Sequence, residues 1–172
     1  PYLINLGSTY WWLHDYDGWA RIMDRIVAYN PDLRPGRIFR AHVELERRAD
    51  TRSLRAAIEK ILTNEPGSEK DPFVAGQRYT LALYDRDWDA AGSSAALLSQ
   101  KNSLPWFPQL GRDFWVGVVA RLKGDETSAR AAFMRARAQQ EEELRVHPDD
   151  AVLLADLGLI DAGLGRKEEA LN

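Results

Sequence analysis

Residues 117–136 read GVVARLKGDETSARAAFMRA, and this stretch carries the clearest indication of how the chain folds. A Gly-Asp pair at positions 124 and 125 interrupts two segments in which apolar and small residues recur at helical spacing. Gly117 lies before the interruption, and Ala129 and Phe133 lie after it. The stretch therefore predicts two helices joined by a tight turn, with small residues where the two helices must approach each other closely.

The same pattern recurs along the chain. Pro31 and Pro66 each end a stretch with the same apolar register, and they lie 35 residues apart. That spacing is close to the period of roughly 34 residues that is typical of helix–turn–helix repeats. We therefore divide the chain into five units, the last of them truncated, at about residues 1–34, 35–71, 72–109, 110–150 and 151–172.

This pattern resembles the tetratricopeptide repeat, and the resemblance covers essentially the whole chain. The family signature has a Leu-Gly pair and an aromatic residue in the first helix, then small residues and a closing proline in the second. Leu6, Gly7 and Tyr10 match it in the first unit, and Gly158 matches it in the last. The resemblance implies an all-α fold, in which residues 1–172 form a single α-solenoid of stacked antiparallel hairpins wound into a right-handed superhelix.

Several positions depart from the family pattern. Tyr79 lies where the third unit should have a small residue, and two prolines in residues 102–108 predict a long, irregular exit from that unit. Residues 128–146 contain no helix breaker, so we expect the second helix of unit four to overrun by roughly two turns. Three further residues are large where the family prefers small ones, namely Trp19, Ile26 and Ile61.

Composition excludes several classes of function. The formal charge of −3 provides no general attraction for nucleic acid or anionic membranes. The chain has no cysteine, and no apolar run approaches the roughly 18 residues of a membrane span. Three histidines fall in different units without ligand spacing, and we expect solvated or turn histidines: His14, His42 and His147. No catalytic motif occurs, so we predict a protein that is not an enzyme and has no catalytic residue, metal or cofactor.

Two groups of charged residues admit a chemical and a structural interpretation. Aspartates in the interhelical turns favour helix capping over acid–base chemistry. Arginines of unit four could form a basic face for nucleic acid, but neighbouring glutamates dilute it. The aspartates are Asp15, Asp17, Asp87, Asp89 and Asp125, and the arginines are Arg121, Arg130, Arg135 and Arg137.

The resemblance also implies a binding surface, because first helices line the inner face of such arrays. Aromatic and arginine side chains on that face are typical of binding hot spots. The alternative is that each aromatic ring only packs between adjacent hairpins. A chaperone carboxylate clamp is not expected, since Ile4, Ser8 and Val43 occupy the corresponding positions. The register assigns these partner-binding residues on the concave face: Trp12, Phe39, Arg47, Tyr84, Phe114 and Arg121.

The resulting hypothesis is a non-catalytic protein–protein interaction scaffold from a larger bacterial signalling or regulatory protein in the cytoplasm. Its expected partner is a protein or peptide segment in the concave groove, with no nucleic acid and no membrane; the oligomeric state stays open. We expect a fragment of a larger protein, since the chain begins in a first helix and ends in a second one. The alternative is a ligand- or peptide-sensing regulatory domain that controls an attached Ser/Thr kinase, adenylate cyclase or DNA-binding domain.

Overall fold

The computed structural model describes residues 2–100 and 110–171. All regular structure in these two ranges is helical, which confirms the predicted all-α class, and the α-helices form consecutive pairs joined by short turns. The first two pairs are α1 (Tyr2–Trp12) with α2 (Tyr16–Tyr29) and α3 (Arg34–Arg48) with α4 (Arg52–Asn64). After a 3₁₀ turn at Ser68–Lys70 come α5 (Pro72–Asp85) with α6 (Trp88–Ala95), α7 (Arg112–Leu122) with α8 (Glu126–Val146), and α9 (Ala151–Gly163) with α10 (Lys167–Leu171).

The helices belong to two compact units, Pro1–Ser68 and Glu69–Asn172. In the first unit α2 packs against both α1 and α3, and α3 packs against α4. In the second unit each helix from α5 to α10 packs against the next one, and α7 also contacts α9. Within each unit the hairpins are therefore stacked in chain order, as in an α-solenoid. A single array across residues 1–172 stays a prediction.

The turns α1–α2, α5–α6 and α7–α8 share one local geometry, whereas the α3–α4 turn has its positive φ at Ala49, two residues before the N-cap Thr51. In those three turns the residue before the cap adopts a positive φ, for example +78° at Gly124 and +55° at His14. The next residue caps the second helix when it is an aspartate, because its carboxylate accepts a hydrogen bond from an amide of the first turn. This confirms the capping interpretation for three aspartates and supplies their partners: Asp15 accepts from Gly18 N, Asp87 from Ala90 N and Asp125 from Ser128 N.

Large and small residues complement each other across the hairpins. In the first hairpin a Cβ atom on Gly7 would lie 2.4 Å from Cε of Met23, so side chains of α2 fill the space that the glycine leaves. In the third hairpin the arrangement is reversed. The ring of Tyr79 on α5 is buried in a cluster with Ala91 and Ala95 of α6. Where a hairpin departs from the family pattern, the large residue on one helix faces small residues on the other, so the interface between the two helices stays filled.

The two irregular features predicted for units three and four have different outcomes. The overrun of the second helix in unit four is confirmed, since α8 has 21 residues against 11 in its partner α7. The irregular exit predicted at residues 102–108 lies outside the described residues. Because of this overrun, α8 extends past the beginning of α7, and it also packs against α9.

Candidate functional site

In the first unit, Trp12 and Arg47 lie at the C-terminal ends of their helices. Trp12 ends α1 with 72% of its surface exposed, and its ring meets that of Trp11 edge-on at 4.8 Å. Next to Arg47 on α3, partial burial raises the pKa of Glu46, and His14 in the α1–α2 turn opposes that shift. We name Trp12, His14, Glu46 and Arg47 the unit 1 patch.

The guanidinium of Arg47 is held by an ion pair with the neighbouring hairpin. Its Nη1 donates to Oδ1 of Asp17, in the first turn of α2, at 2.9 Å. The second unit repeats this contact, since Nζ of Lys123 lies 2.6 Å from Oδ1 of Asp89 in the first turn of α6. These aspartates lie two residues after the capping ones, so the capping prediction is wrong for them. Exposed pairs of this kind are weak, and they serve mainly to orient the side chains.

In the second unit, Tyr84 and Arg121 are the exposed members of the predicted set. Tyr84 lies near the end of α5 and is 47% exposed. The guanidinium of Arg121 lies 5.3 Å from the ring centroid of Phe133, and its Nη2 pairs with Oε2 of Glu126 at 3.1 Å. A ring beneath it and a carboxylate beside it restrict this side chain, which lowers the entropy lost when a partner binds. We name Tyr84 and Arg121 the unit 2 patch.

Phe114 combines exposure with internal packing. It is half-buried, and its ring contacts Trp115 at 5.0 Å and Phe133 at 5.6 Å between centroids. The contact with Phe133 links Phe114 to the ring beneath Arg121. Phe114 therefore supports the unit 2 patch from the side and offers a partner only part of its surface.

Phe39 does not lie on an open surface, in contrast to its predicted position. It is 8% exposed, and Val43, which the register placed on the same face, is fully buried. The reason is that α3 packs against α2 and α4, so most of its residues from Gly36 to Leu45 are buried. His42 on the same helix is also buried, which corrects the expectation that it is solvated.

Two of the predicted arginines of α8 contribute to the structure of the second unit, while Arg130 is exposed. Nε of Arg135 donates to Oδ1 of Asp113 on α7 at 3.0 Å. Nε of Arg137 donates to Oδ1 of Asp161 on α9 at 2.7 Å, and Arg137 also pairs with Glu141. Guanidinium groups that are already paired with carboxylates are less able to bind the phosphates of a nucleic acid, because phosphate binding requires available cations.

Sequence reasoning missed a cavity in the second unit. Its volume is about 310 Å³, and it is lined by the C-terminal half of α8, by one face of α9 and by residues on either side of positions 101–109. The helical pattern gave a signal for the overrun of α8, but not for the space beside it. We name this space the α8–α9 cavity, and its described lining residues are Gln100, Leu110, Gly111, Ala136, Gln139, Gln140, Glu142, Glu143, Leu153 and Ile160.

A buried carboxylate lies on α9, one of the helices that line this cavity, but is not itself a lining residue. Asp156 is 2% exposed, and its Oδ2 has no hydrogen-bond partner. It shares one face of α9 with the lining residues Leu153 and Ile160, which lie three and four positions away. Loss of solvation, together with the nearby charge of Asp150, raises the pKa of Asp156 to about 6. This carboxylate is a local cost to stability at neutral pH.

We expect Asp156→Asn to stabilise the protein in a pH-dependent way. The folded-state pKa is raised to about 6 from the usual value of about 3.9, so the folded state loses stability as pH rises between these values. The variant removes that loss. Its unfolding free energy should exceed the parent's by about 2 kcal/mol near pH 7.5 and match it near pH 4. Urea unfolding at both pH values measures the difference, and a gain of equal size at both would contradict the assignment.

The described residues contain neither a cluster of metal ligands nor a membrane-spanning helix. Among residues 2–100 and 110–171, no group of three or more histidine and acidic side chains could hold a metal ion. In the same part of the chain, no helix has both the length and the apolar character needed to cross a bilayer.

Comparison with known proteins bears on the fold. No protein-family model matches the chain, and no curated protein matches it. The crystal structure of MamA protein is similar, with a TM-score of 0.52 and 13% identity over 98% of this chain and 84% of that one. A mutant of MamA has a TM-score of 0.54 and 16% identity, and the match covers 99% of this chain and 90% of that one. MamA AMB-1 has a TM-score of 0.52 and 17% identity, and the match covers 99% of this chain and 91% of that one. The chain therefore shares the all-helical fold of these structures, in which helices pair in succession. At these identities the likeness extends to the fold alone.

Proposed function

We propose that this protein is a non-catalytic interaction module that binds a protein or peptide segment through the ends of its first helices. The exposure of Trp12 carries the proposal. A tryptophan that is 72% exposed at a helix end is a large, rigid apolar surface without an intramolecular use for most of its area. In a tetratricopeptide-type fold, first helices are the elements that the family uses for recognition.

Charged side chains beside the aromatic ones supply directionality. Arg47 in the unit 1 patch and Arg121 in the unit 2 patch are each held by a carboxylate, Asp17 and Glu126 respectively. A planar guanidinium that is already oriented suits a partner carboxylate or backbone carbonyl. We propose a protein partner rather than nucleic acid, because Arg135 and Arg137 are paired within the fold.

The wider setting is part of the same proposal. Repeats rich in arginine and alanine resemble those attached to bacterial signalling proteins, and we place the module in such a protein in the cytoplasm. Phe39 is left out of the proposed surface, because little of its side chain is accessible. The full-length open reading frame tests this setting, since an attached kinase, cyclase or DNA-binding domain would support it.

We expect Trp12→Ala, and separately the double variant Tyr84→Ala/Arg121→Ala, to weaken capture of a protein partner by about tenfold or more. Melting temperatures should change little, because truncation of exposed residues usually costs no more than about 0.5 kcal/mol. Affinity capture with quantitative mass spectrometry measures the first effect, and thermal melts measure the second.

Tyr29→Ala is the matched control for this experiment. Tyr29 ends α2, a second helix, and is 91% exposed. Its truncation removes comparable aromatic area from a helix that the proposal does not use. Equal loss of partners in the Tyr29 variant, or unchanged capture in both patch variants, would contradict a recognition role for the first helices.

A further inference from the structure

One face of α1 is apolar, uncharged and without a partner in its own unit. Within the first compact unit α1 packs only against α2, through the side that carries Gly7 and Tyr10. Residues 2–13 contain no acidic residue, lysine, arginine or histidine. The large apolar residues on the exposed side are Tyr2 (89% exposed), Leu6 (41%) and Leu13 (71%). A helix with apolar residues all round is normally covered on several sides, so this face is suited to contact another molecule.

The exposed side of α1 has the spacing at which one helix pairs with another. Positions 2, 6, 9 and 13 follow one another at intervals of four, three and four residues, as the a and d positions of a coiled coil do. Leu13 continues the helix, because its amide donates to the carbonyl oxygen of Thr9 at 3.1 Å. Thr9 and the nearby Asn5 are exposed and polar but uncharged. We name Tyr2, Asn5, Leu6, Thr9 and Leu13 the α1 seam.

We propose that the α1 seam pairs with the α1 seam of a second copy of this chain, with the two helices antiparallel about a two-fold axis. The order of intervals is the same in both directions, so position 2 meets position 13 of the second copy and position 6 meets position 9. Like charges usually prevent identical surfaces from pairing, and this seam has none. The side-chain amide of Asn5 both donates and accepts, so it suits a surface that faces its own copy.

The lack of charge also argues against a charged partner. A carboxylate or ammonium group placed on the seam would lose its hydration, and no side chain of the seam would supply the opposite charge. A second copy meets the seam with the same apolar and uncharged polar groups. The occupant that matches this surface is therefore the surface itself.

The area of the α1 seam suits a weak and reversible dimer. With these exposed fractions the seam offers about 400–500 Å² per copy, since a whole aromatic side chain contributes about 150–250 Å². Two copies would bury about 900 Å² in total, which is less than the roughly 1,200 Å² of the smallest stable interfaces. We therefore expect a dissociation constant of about 10–100 μM rather than a permanent dimer.

The α1 seam is separate from the unit 1 patch. Successive residues of a helix are rotated by about 100°, so Trp12 lies about 90° around α1 from the middle of the seam. Pairing of two seams leaves the ring of Trp12 at the edge of the contact. Self-association is thus a function additional to the proposed binding of a protein partner, and either one can fail without the other.

Analytical ultracentrifugation of the intact chain, without any partner, tests self-association between about 5 and 500 μM. We expect the weight-average mass to rise from that of a monomer toward that of a dimer, with a midpoint at about 10–100 μM. A monomer at every concentration would overturn the proposal and assign the seam to a different protein. Growth beyond the dimer would also overturn it, because a two-fold contact closes at two copies.

Charged variants locate the contact and its direction. Leu6→Glu and Thr9→Lys should each weaken dimerisation by about tenfold or more, because each places an unpaired charge in the interface. Leu159→Glu is the control, since Leu159 lies on α9 and is 45% exposed, close to the 41% of Leu6. It should not change dimerisation, and a loss equal to that of Leu6→Glu would overturn the assignment to α1. Circular dichroism melts verify that each variant is folded.

A mixture of the two seam variants tests the antiparallel register. Chains with Leu6→Glu and chains with Thr9→Lys should associate with each other more strongly, by about tenfold, than either does with itself. The reason is that position 6 of one copy faces position 9 of the other, so the new glutamate meets the new lysine. No gain in the mixture would overturn the antiparallel pairing. Capture of a protein partner through Trp12 should stay unchanged in both variants, which separates this result from the proposed function.

Discussion

Phe133→Ala is expected to lower the free energy of unfolding by about 3–5 kcal/mol, the cost typical of removing a buried aromatic ring. The ring is 2% exposed and lies between two helices. A Cβ atom on Gly117 of α7 would lie 2.9 Å from it, and one on Gly163 of α9 would lie 3.0 Å from it. Truncation therefore empties the space that both glycines leave open, and the packed backbones cannot collapse fully into it.

Urea unfolding followed by circular dichroism measures this effect. Met134 is the control, because it is the next residue on α8 and is 48% exposed. Met134→Ala should change stability by no more than about 0.5 kcal/mol. Equal losses in the two variants would show that Phe133 does not occupy the space between α7 and α9.

Arg137→Ala is expected to lower the free energy of unfolding by about 3 kcal/mol, because it leaves the charge of the Asp161 carboxylate buried without its nearer cation. Asp161 is 1% exposed, and Arg137 is its nearer cation, at 2.7 Å against 3.6 Å for Arg166. Without Arg137 the carboxylate stays buried with the more distant partner alone. Breaking such a pair from one side costs more than the pair itself contributes.

A double-mutant cycle with Asp161→Asn separates the two contributions. The double variant should lose less stability than the sum of the single variants, because the asparagine removes the buried charge. Arg145→Ala is the control, since Arg145 is 75% exposed and pairs with Glu142 on the surface of the same helix. A loss in Arg145→Ala that matches the loss in Arg137→Ala would contradict the role of burial.

The repeat architecture could be predicted from the sequence because its signals are local. A small residue at the helix crossing, a left-handed residue and a capping aspartate occur within a few positions of one another, as around Gly124 and Asp125. Hydrogen bonds and sterics inside one turn decide such features, so they do not depend on distant parts of the chain. The pairing of the ten α-helices in residues 2–100 and 110–171 and the overrun of α8 follow from signals of this kind.

The exposure of individual side chains could not be predicted in the same way. The helical register placed Phe39 and Tyr84 on the same kind of face, yet Phe39 is 8% exposed and Tyr84 is 47% exposed. Periodicity shows which residues share a helix face, but burial depends on how many neighbours cover that helix. The position of α3 between α2 and α4 decides the outcome for Phe39.

By itself, then, the sequence determined the all-α class, the helical hairpins and the capped turns between their helices. Only the tertiary structure decided the α8–α9 cavity and the pairing of buried charges, such as Arg137 with Asp161 across 24 positions. The physical reason is how far apart in the chain the interacting atoms lie. Turns and caps are fixed by atoms a few residues apart, whereas a cavity or a buried ion pair exists only where separate helices meet, at distances that depend on the packing of all of them.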